Sequence, residues 1–526
     1  MKIFLADAVS AECTTILEDA GLTVDNRPGL ELKNKMAAVA DAYGLVVRSA
    51  TQVTAEMMDA APNLKVIGRA GSGVDNIDVA AATERGILVM NAPGENTLSA
   101  AEHAMAMLMA MCRNIPVADA RLRNEGWSKK GLMGVEMIGK TIGVIGMGRI
   151  GQAVAKRARA FGMKILAFDP FLPKKVAENL GVEMAELEEI YPRADFITLH
   201  TPLTDRTRHM LNAETLAKCK KGVRLVNCAR GGLIDEAALL QGLESGHIAG
   251  AALDVFEQEP LQRDNPLLQH STVVVTPHLG ASTAEAQEKV AVRIAEQMAA
   301  YLKDGAVRNA VNSFSVDGAT ALKLTPWQNL AESLGKLHAE LLQNPGNAIE
   351  VEFAGDLLDL PTQPITNSVL HGFLSSMLSR SVNTVNAMSI AQEHGIKVSE
   401  SRGTSTDGFT GLLTVRIYSA DEHHTLAGSL FGHERPMLVR VDGFVLESLL
   451  KSHMLLCCNE DYPGRLAAIS AIIAEHGINI ANCALGRDAN KKLAMDTFQL
   501  DEPLPDAALY ELRDLIGVRW AHVLTL

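Results

Sequence analysis

Apolar residues in the first half of the chain fall into short runs that end in polar or glycine-rich segments. KIFLAD (2–7), GLVVRS (44–49) and LKVIGRA (64–70) read as buried strands. TIGVIG (141–146), KILAFD (164–169), DFITLH (195–200), VRLVNC (223–228), AGAALDVF (249–256) and TVVVTPH (272–278) continue the series. Helical patterns lie between them, which predicts mostly parallel sheet and the α/β class. TLSAAEHAMAMLMAMCRN (97–114) reads as a buried helix or a subunit contact, with Glu102 near its start and Arg113 at its end.

The pattern changes near residue 312. LKLTPWQNLAESLGKL (322–337) predicts a helix with Pro326 near its first turn. NAIEVEFAGDL (347–357) predicts a strand, so residues 316–450 read as a separate α/β unit. His423, His424 and His433 lack cysteine or clustered carboxylate partners and read as surface histidines, so no metal site is expected. From 453 to 526 the order is strand, helix, strand, strand, helix, strand. That is βαββαβ, the ferredoxin-like arrangement.

A chain of 526 residues is too long for one core and implies roughly three or four domains. No run approaches the roughly 18 apolar residues of a membrane helix, and MKIFLADAVSAE turns acidic too early for a signal peptide. The seven cysteines show no C-x-x-C spacing, which predicts reduced thiols and a cytoplasmic location. A net charge of −13 argues against a nucleic-acid partner. An anionic substrate therefore needs a local basic pocket working against the overall field.

Two features point to chemistry. TIGVIGMGRIGQAVAKRARAFGMKILAFD carries Gly146, Gly148 and Gly151 as G-x-G-x-x-G between a strand and a helix, with Asp169 ending the next strand. Such glycines permit a tight turn, approach to a pyrophosphate and close helix packing, while the carboxylate takes ribose hydroxyls and favours NAD over NADP. Downstream, Arg230, Glu259 and His278 fall at or beyond predicted strand ends, where an open parallel sheet faces its ligand. An imidazole can take a hydroxyl proton, a carboxylate can fix its tautomer, and a guanidinium can grip a substrate carboxylate. Taken singly, each also reads as a salt bridge, a surface acid or a satisfied histidine, and Glu257 competes with Glu259.

GVIGMGRIG, NCARGGLIDEAAL, ALDVFEQEP and TPHLGAST, in this order, closely resemble the D-isomer-specific 2-hydroxyacid dehydrogenases. VVRSAT, GRAGSGVDNID and two C-terminal units further resemble the long form of that family, whose substrate is 3-phosphoglycerate. The resemblance implies two doubly wound Rossmann-like domains: a discontinuous substrate domain (1–95 and 283–312) and an NAD-binding domain (96–282). An intervening regulatory-type domain (316–450) and an ACT-like domain (453–526) would follow. It implies that Arg230, Glu259 and His278 are catalytic. It also implies cofactor contacts from Ser72, Gly146, Gly148, Arg149, Ile150, Gly151, Asp169, Thr201, Cys228, Ala229, Arg230, Asp254, His278, Leu279, Gly280 and Ala281. Arg48, Arg69 and Arg230 would hold the substrate, with the glycines after Arg230 making room for it and the nicotinamide. Lys129 and Lys130 would add charge from a neighbouring subunit.

The expected reaction is oxidation of 3-phosphoglycerate to 3-phosphohydroxypyruvate in serine synthesis, by a homotetramer with 97–114 as a dimer-contact helix. Reduction of 2-oxoglutarate to 2-hydroxyglutarate is an expected side activity. A glyoxylate or hydroxypyruvate reductase of the same family, or a non-catalytic NAD sensor, are the competing readings. Serine-inhibited relatives carry a His and an Asn where this chain has Asn459 and Asp461, although Asn479 is kept. Serine feedback and a purely assembling ACT-like domain both stand.

Overall fold

The structure is a computed structural model that describes all residues other than 343–345, 420–421, 433, 451–452, 489, 491, 526 and the side chain of Lys174. His433 thus lies outside the described residues. Short, fully buried apolar segments form two parallel sheets. The first contains β1 (Lys2–Leu5), β2 (Thr23–Asn26), β3 (Gly44–Val47), β4 (Val66–Arg69) and β5 (Leu88–Asn91), in the order β2-β1-β3-β4-β5. The helix Ala284–Asp304 packs on it, with Val290, Ile294 and Met298 meeting Ile3, Leu5, Leu88 and Met90.

The second sheet holds β6 (Thr141–Ile145), β7 (Lys164–Phe168), β8 (Glu183–Met184), β9 (Phe196–Leu199), β10 (Val223–Asn227), β11 (Ile248–Leu253) and β12 (Val273–Val275). Its order is β12-β11-β10-β9-β6-β7-β8, and all of its pairs are parallel. Strand order reverses between β6 and β9. The connections there leave to opposite faces, and a crevice opens beyond the carboxyl ends. The helix Thr97–Cys112 buries Met107, Leu108 and Met111 against Ile142, Val144 and Ala252. Most of its methionines are therefore core of this chain rather than a surface for another subunit.

A third, mixed sheet runs β14-β13-β15-β16-β17-β18 through β13 (Ala348–Gly355), β14 (Lys397–Arg402), β15 (Gly411–Tyr418), β16 (His423–Phe431), β17 (Arg435–Val441) and β18 (Phe444–Leu449). The helix over it starts earlier than the pattern predicts, at Gly318. Asp317 caps it, accepting the Thr320 N–H at 2.9 Å, and Pro326 lies inside the helix. His424 Nδ1 lies 3.0 Å from Asp442, and His423 stacks on Tyr418. The fourth sheet is antiparallel, β20-β21-β19-β22, from β19 (His453–Glu460), β20 (Ile480–Asp488), β21 (Leu493–Leu500) and β22 (Val518–Thr525). Helices Arg465–Glu475 and Asp506–Asp514 complete the expected βαββαβ order. Among the described residues no helix is long and apolar enough to cross a membrane.

His338, on the helix Gly318–Leu341, is fully buried with Nε2 3.0 Å from the Val415 carbonyl oxygen. Burial pushes its imidazole down to about 3. Unfolded, it titrates near 6.5. Below that pH the unfolded chain binds a proton that the folded chain refuses, so stability falls as pH drops from about 6.5 toward 3. His338→Gln should flatten that slope by on the order of 1 kcal/mol per pH unit. Urea unfolding followed by the fluorescence of Trp327 and Trp520, which pack in the same core, measures this; an unchanged slope contradicts it.

Candidate active site

The glycine loop after β6 has the geometry that its spacing predicts. Gly146 has φ +94°, and a Cβ on it would meet the His200 carbonyl at 2.7 Å. A Cβ on Gly151 would stand 1.9 Å from the Gly146 oxygen, so the helix Arg149–Ala160 can seat only a glycine there. Gly148, at the helix N-cap, faces open space. Asp169, just past β7, accepts the Met147 N–H and the Phe171 N–H, both at 2.8 Å, which sets its carboxylate on the loop. A helix N-terminus, an open glycine and a carboxylate on the neighbouring strand together fit a dinucleotide.

The other residues of this loop are positioned as follows. Thr201 lays its methyl against Gly146, and Ile150 packs on the core. The Arg149 side chain reaches away to the Pro93 carbonyl oxygen at 2.9 Å.

His278 and Glu259 come together. Nδ1 of His278 lies 2.7 Å from Glu259 Oε2, and Glu259 Oε1 accepts the Phe256 N–H at 3.1 Å. Burial works against ionising Glu259, but the bonds from His278 and Phe256 hold its carboxyl below the ordinary glutamate range. Glu257 is occupied elsewhere, 3.1 Å from His209 Nε2 and accepting the Glu236 N–H. His278 adopts φ +55°, a left-handed conformation uncommon outside glycine.

Asp254 organises that turn. Its backbone oxygen accepts the His278 N–H at 2.9 Å, and its carboxylate accepts the N–H groups of Leu279 and Gly280 at 2.7 and 2.8 Å. Thr276 Oγ1 and His103 Nε2 approach the same carboxylate at 2.6 and 3.1 Å. Burial raises the acid and these donors outweigh it, so the net shift is downward. Most of the bonding capacity of Asp254 is therefore spent inside the protein. Ala281 follows this turn, half-buried.

Arg230 follows β10 in a loop braced by Asn227, whose side chain accepts the Ala229 N–H and donates to the Arg230 carbonyl. Cys228, beside it, is mostly buried, which pushes its thiol up. A Cβ on Gly231 would lie 1.7 Å from the Phe256 oxygen. This glycine lets two strand-end loops touch, a close approach of backbone to backbone.

Arg69 is largely buried and its Nε has no protein partner. Burial, then the charges of Arg230 and Arg48, pull its guanidinium down to about 10. Arg48 borders a recess of about 400 Å3 that Asp7, Lys35 and Ser49 also line. Ser72, in the loop after β4, donates to Asn96 at 2.8 Å. Lys129 and Lys130 are exposed. Three contributors were not singled out in the sequence: His103, Asn227, and Asp75, which lies 3.0 Å from Arg230 Nε. Asp75 stands in the quoted GRAGSGVDNID motif, and Asn227 opens the quoted NCARGGLIDEAAL; His103 carries no signal of its own.

Comparison with known proteins agrees with this geometry. The pattern of the D-isomer specific 2-hydroxyacid dehydrogenase, NAD binding domain, matches residues 105–280. That of the D-3-phosphoglycerate dehydrogenase intervening domain matches 323–442. D-3-phosphoglycerate dehydrogenase of Methanocaldococcus jannaschii is 40% identical over 100% of both chains. A crystal structure of a protein from Thermus thermophilus aligns with 38% identity and TM-score 0.54, covering 59% of this chain and 100% of that one. An NAD-dependent formate dehydrogenase from Staphylococcus aureus, in complex with NAD, aligns at 29% identity and TM-score 0.54 over 60% of this chain and 100% of its own. With the glycine loop, the His278–Glu259 contact and full-length kinship in agreement, the chain belongs to the D-3-phosphoglycerate dehydrogenases of the D-isomer-specific 2-hydroxyacid dehydrogenase family.

Proposed function

We propose that the enzyme oxidises 3-phosphoglycerate to 3-phosphohydroxypyruvate with NAD, the first step of serine synthesis. The observation that carries the reaction type is the 2.7 Å bond between His278 and Glu259 at the strand ends beside Arg230. Bound NAD would supply the hydride acceptor for C2 of the substrate. His278 Nε2 takes the hydroxyl proton, and Glu259 on Nδ1 fixes the tautomer and stabilises the imidazolium. Arg230 holds the substrate carboxylate and polarises the forming carbonyl. Gly146, Gly148 and Gly151 with the amides of Arg149 and Ile150 would seat the pyrophosphate, and Asp169 the ribose. Ser72, Thr201, Cys228, Ala229, Asp254 and the stretch His278–Ala281 would line the nicotinamide side.

The substrate class rests on Arg69. A buried guanidinium without a carboxylate partner is costly, and two more arginines nearby deepen the positive potential. An anion that brings both a carboxylate and a phosphate relieves it. This favours 3-phosphoglycerate over the phosphate-free substrates of glyoxylate or hydroxypyruvate reductases, and leaves 2-oxoglutarate, with its second carboxylate, as a side substrate.

The packing of the helix Ala284–Asp304 on the first sheet supports 1–95 with 283–312 for substrate and 96–282 for NAD; 316–450 and an ACT-like 453–526 would follow, sharing apolar packing across their seam. In the last, Asn459 donates to Asp496 at 2.8 Å, Asp461 accepts from Arg487 at 2.8 Å and Asn479 donates to Asp501 at 2.7 Å. These internal pairings support an assembling role over serine sensing. Exposed Trp127, Met133 and Ile138 support a subunit contact in the segment after the helix Ile115–Asn124, as in a cytoplasmic homotetramer.

His278→Ala should lower kcat about 10²- to 10⁴-fold while NADH affinity, read by fluorescence titration, stays near wild type. Near-normal turnover rules out the base. Arg69→Ala should raise the KM for 3-phosphoglycerate roughly 10- to 100-fold with little change in the KM for NAD. Equal effects on both would contradict the phosphate role.

A further inference from the structure

Arg230 extends from the second sheet onto a loop of the first. Its Nη2 occupies the place where a side chain on Gly73 would begin, 2.1 Å from an ideal Cβ. Gly73 is not in the left-handed region, and the atoms an added Cβ would meet are the ends of the Arg230 and Asp75 side chains, so a larger residue there would displace that pair. Shortly after Arg69, that loop also supplies Asp75, whose Oδ2 lies 3.0 Å from Arg230 Nε. On the other side Arg230 Nη1 donates to the Ala229 carbonyl at 2.7 Å. The guanidinium thus meets Gly73 through Nη2 and is held at Nε by Asp75 and at Nη1 by its own loop. Among the described residues Nη2 makes no hydrogen bond, which leaves the end-on edge for a ligand.

We propose that Asp75 and Gly73 are positioning residues for the dehydrogenase reaction: Gly73 is the floor on which Arg230 lies, and Asp75 clasps its Nε edge across the cleft. The free edge is then aimed at the substrate carboxylate. The proposal rests on the reading of Arg230 as the carboxylate-binding residue.

Asp75 is mostly exposed, with 69% of its side chain accessible, so its pair with Arg230 adds little to stability. Its effect lies in orientation, because a carboxylate and a guanidinium pair well in few geometries. The clasp also joins the two Rossmann-like units. It forms only when Gly73 and Arg230 face each other, which ties the aim of the guanidinium to the closeness of the two sheets. A purely electrostatic role predicts the opposite sign. Asp75 offsets part of the positive field of Arg48, Arg69 and Arg230, so removing its charge alone would tighten binding of an anion and lower KM.

The test compares Asp75→Asn, Asp75→Glu and Gly73→Ala in the full-length enzyme with 3-phosphoglycerate and with the phosphate-free acids D-2-hydroxyglutarate and D-lactate. The clasp predicts a fall in kcat/KM of roughly 10- to 100-fold for Asp75→Asn and Gly73→Ala, partial rescue in Asp75→Glu, and unchanged NADH affinity. In an Arg230→Lys background the Asp75→Asn penalty should vanish, because the clasped edge is gone. A lower KM with unchanged kcat in Asp75→Asn, or a penalty that persists in Arg230→Lys, overturns the proposal. Should the wild type oxidise only a phosphate-free acid, the substrate reading fails, and the clasp is judged on that acid by the same criteria. Oxidation of none overturns both.

Discussion

A single 2.7 Å bond between His278 and Glu259 joins loops from two neighbouring strands, and the proposed proton transfer depends on it. The bond needs the chain after β12 to fold back over β11. Asp254 imposes this by collecting the amides of His278, Leu279 and Gly280 on its backbone and side-chain oxygens. His278 takes an unusual left-handed conformation as a result. The cost of such a backbone, of order 1–3 kcal/mol, is sustained only where surrounding bonds over-determine it, and here they do. Glu259 stays ionised because His278 and the Phe256 amide offset its partial burial.

Charge sets the second constraint. The chain carries −13 overall, yet Arg48 and Arg230 both bear on Arg69. Burial first, and then the charges of Arg230 and Arg48, disfavour the charged form of Arg69, as expected of a site built to receive an anion. Asp75 and Asp7 offset this field only in part. Asp7 accepts the backbone N–H of Arg48 and the hydroxyl of Thr51, and Asp254 is buried among its own donors. Selectivity for an anionic substrate thus arises locally, against the field of the whole protein.

The parallel strands were legible because buried strands are short apolar runs. Those of β6, β7, β9 and β10 lie where the pattern predicts them. β2 (TVDN) and β8 (EM) were not, since edge strands half open to water carry no apolar signature. The run LVMN of β5 could have been found, being buried and apolar. The helix Gly318–Leu341 began earlier than its apolar pattern because the capping side chain of Asp317, rather than Pro326, sets its start. Site residues at strand ends were readable from position. Those acting through others, such as His103 on Asp254, depend on packing between distant segments, which no local pattern encodes. The choice of Glu259 over Glu257 likewise needed three dimensions, because the two differ only in which loop they face.

The most direct measurement is a crystal structure of the ternary complex with NADH and 3-phosphoglycerate. The account predicts the C2 hydroxyl oxygen within about 3 Å of His278 Nε2, the carboxylate on the open edge of Arg230, and the phosphate between Arg48 and Arg69. A nicotinamide seated away from His278, or a substrate whose carboxylate bypasses Arg230, would contradict it.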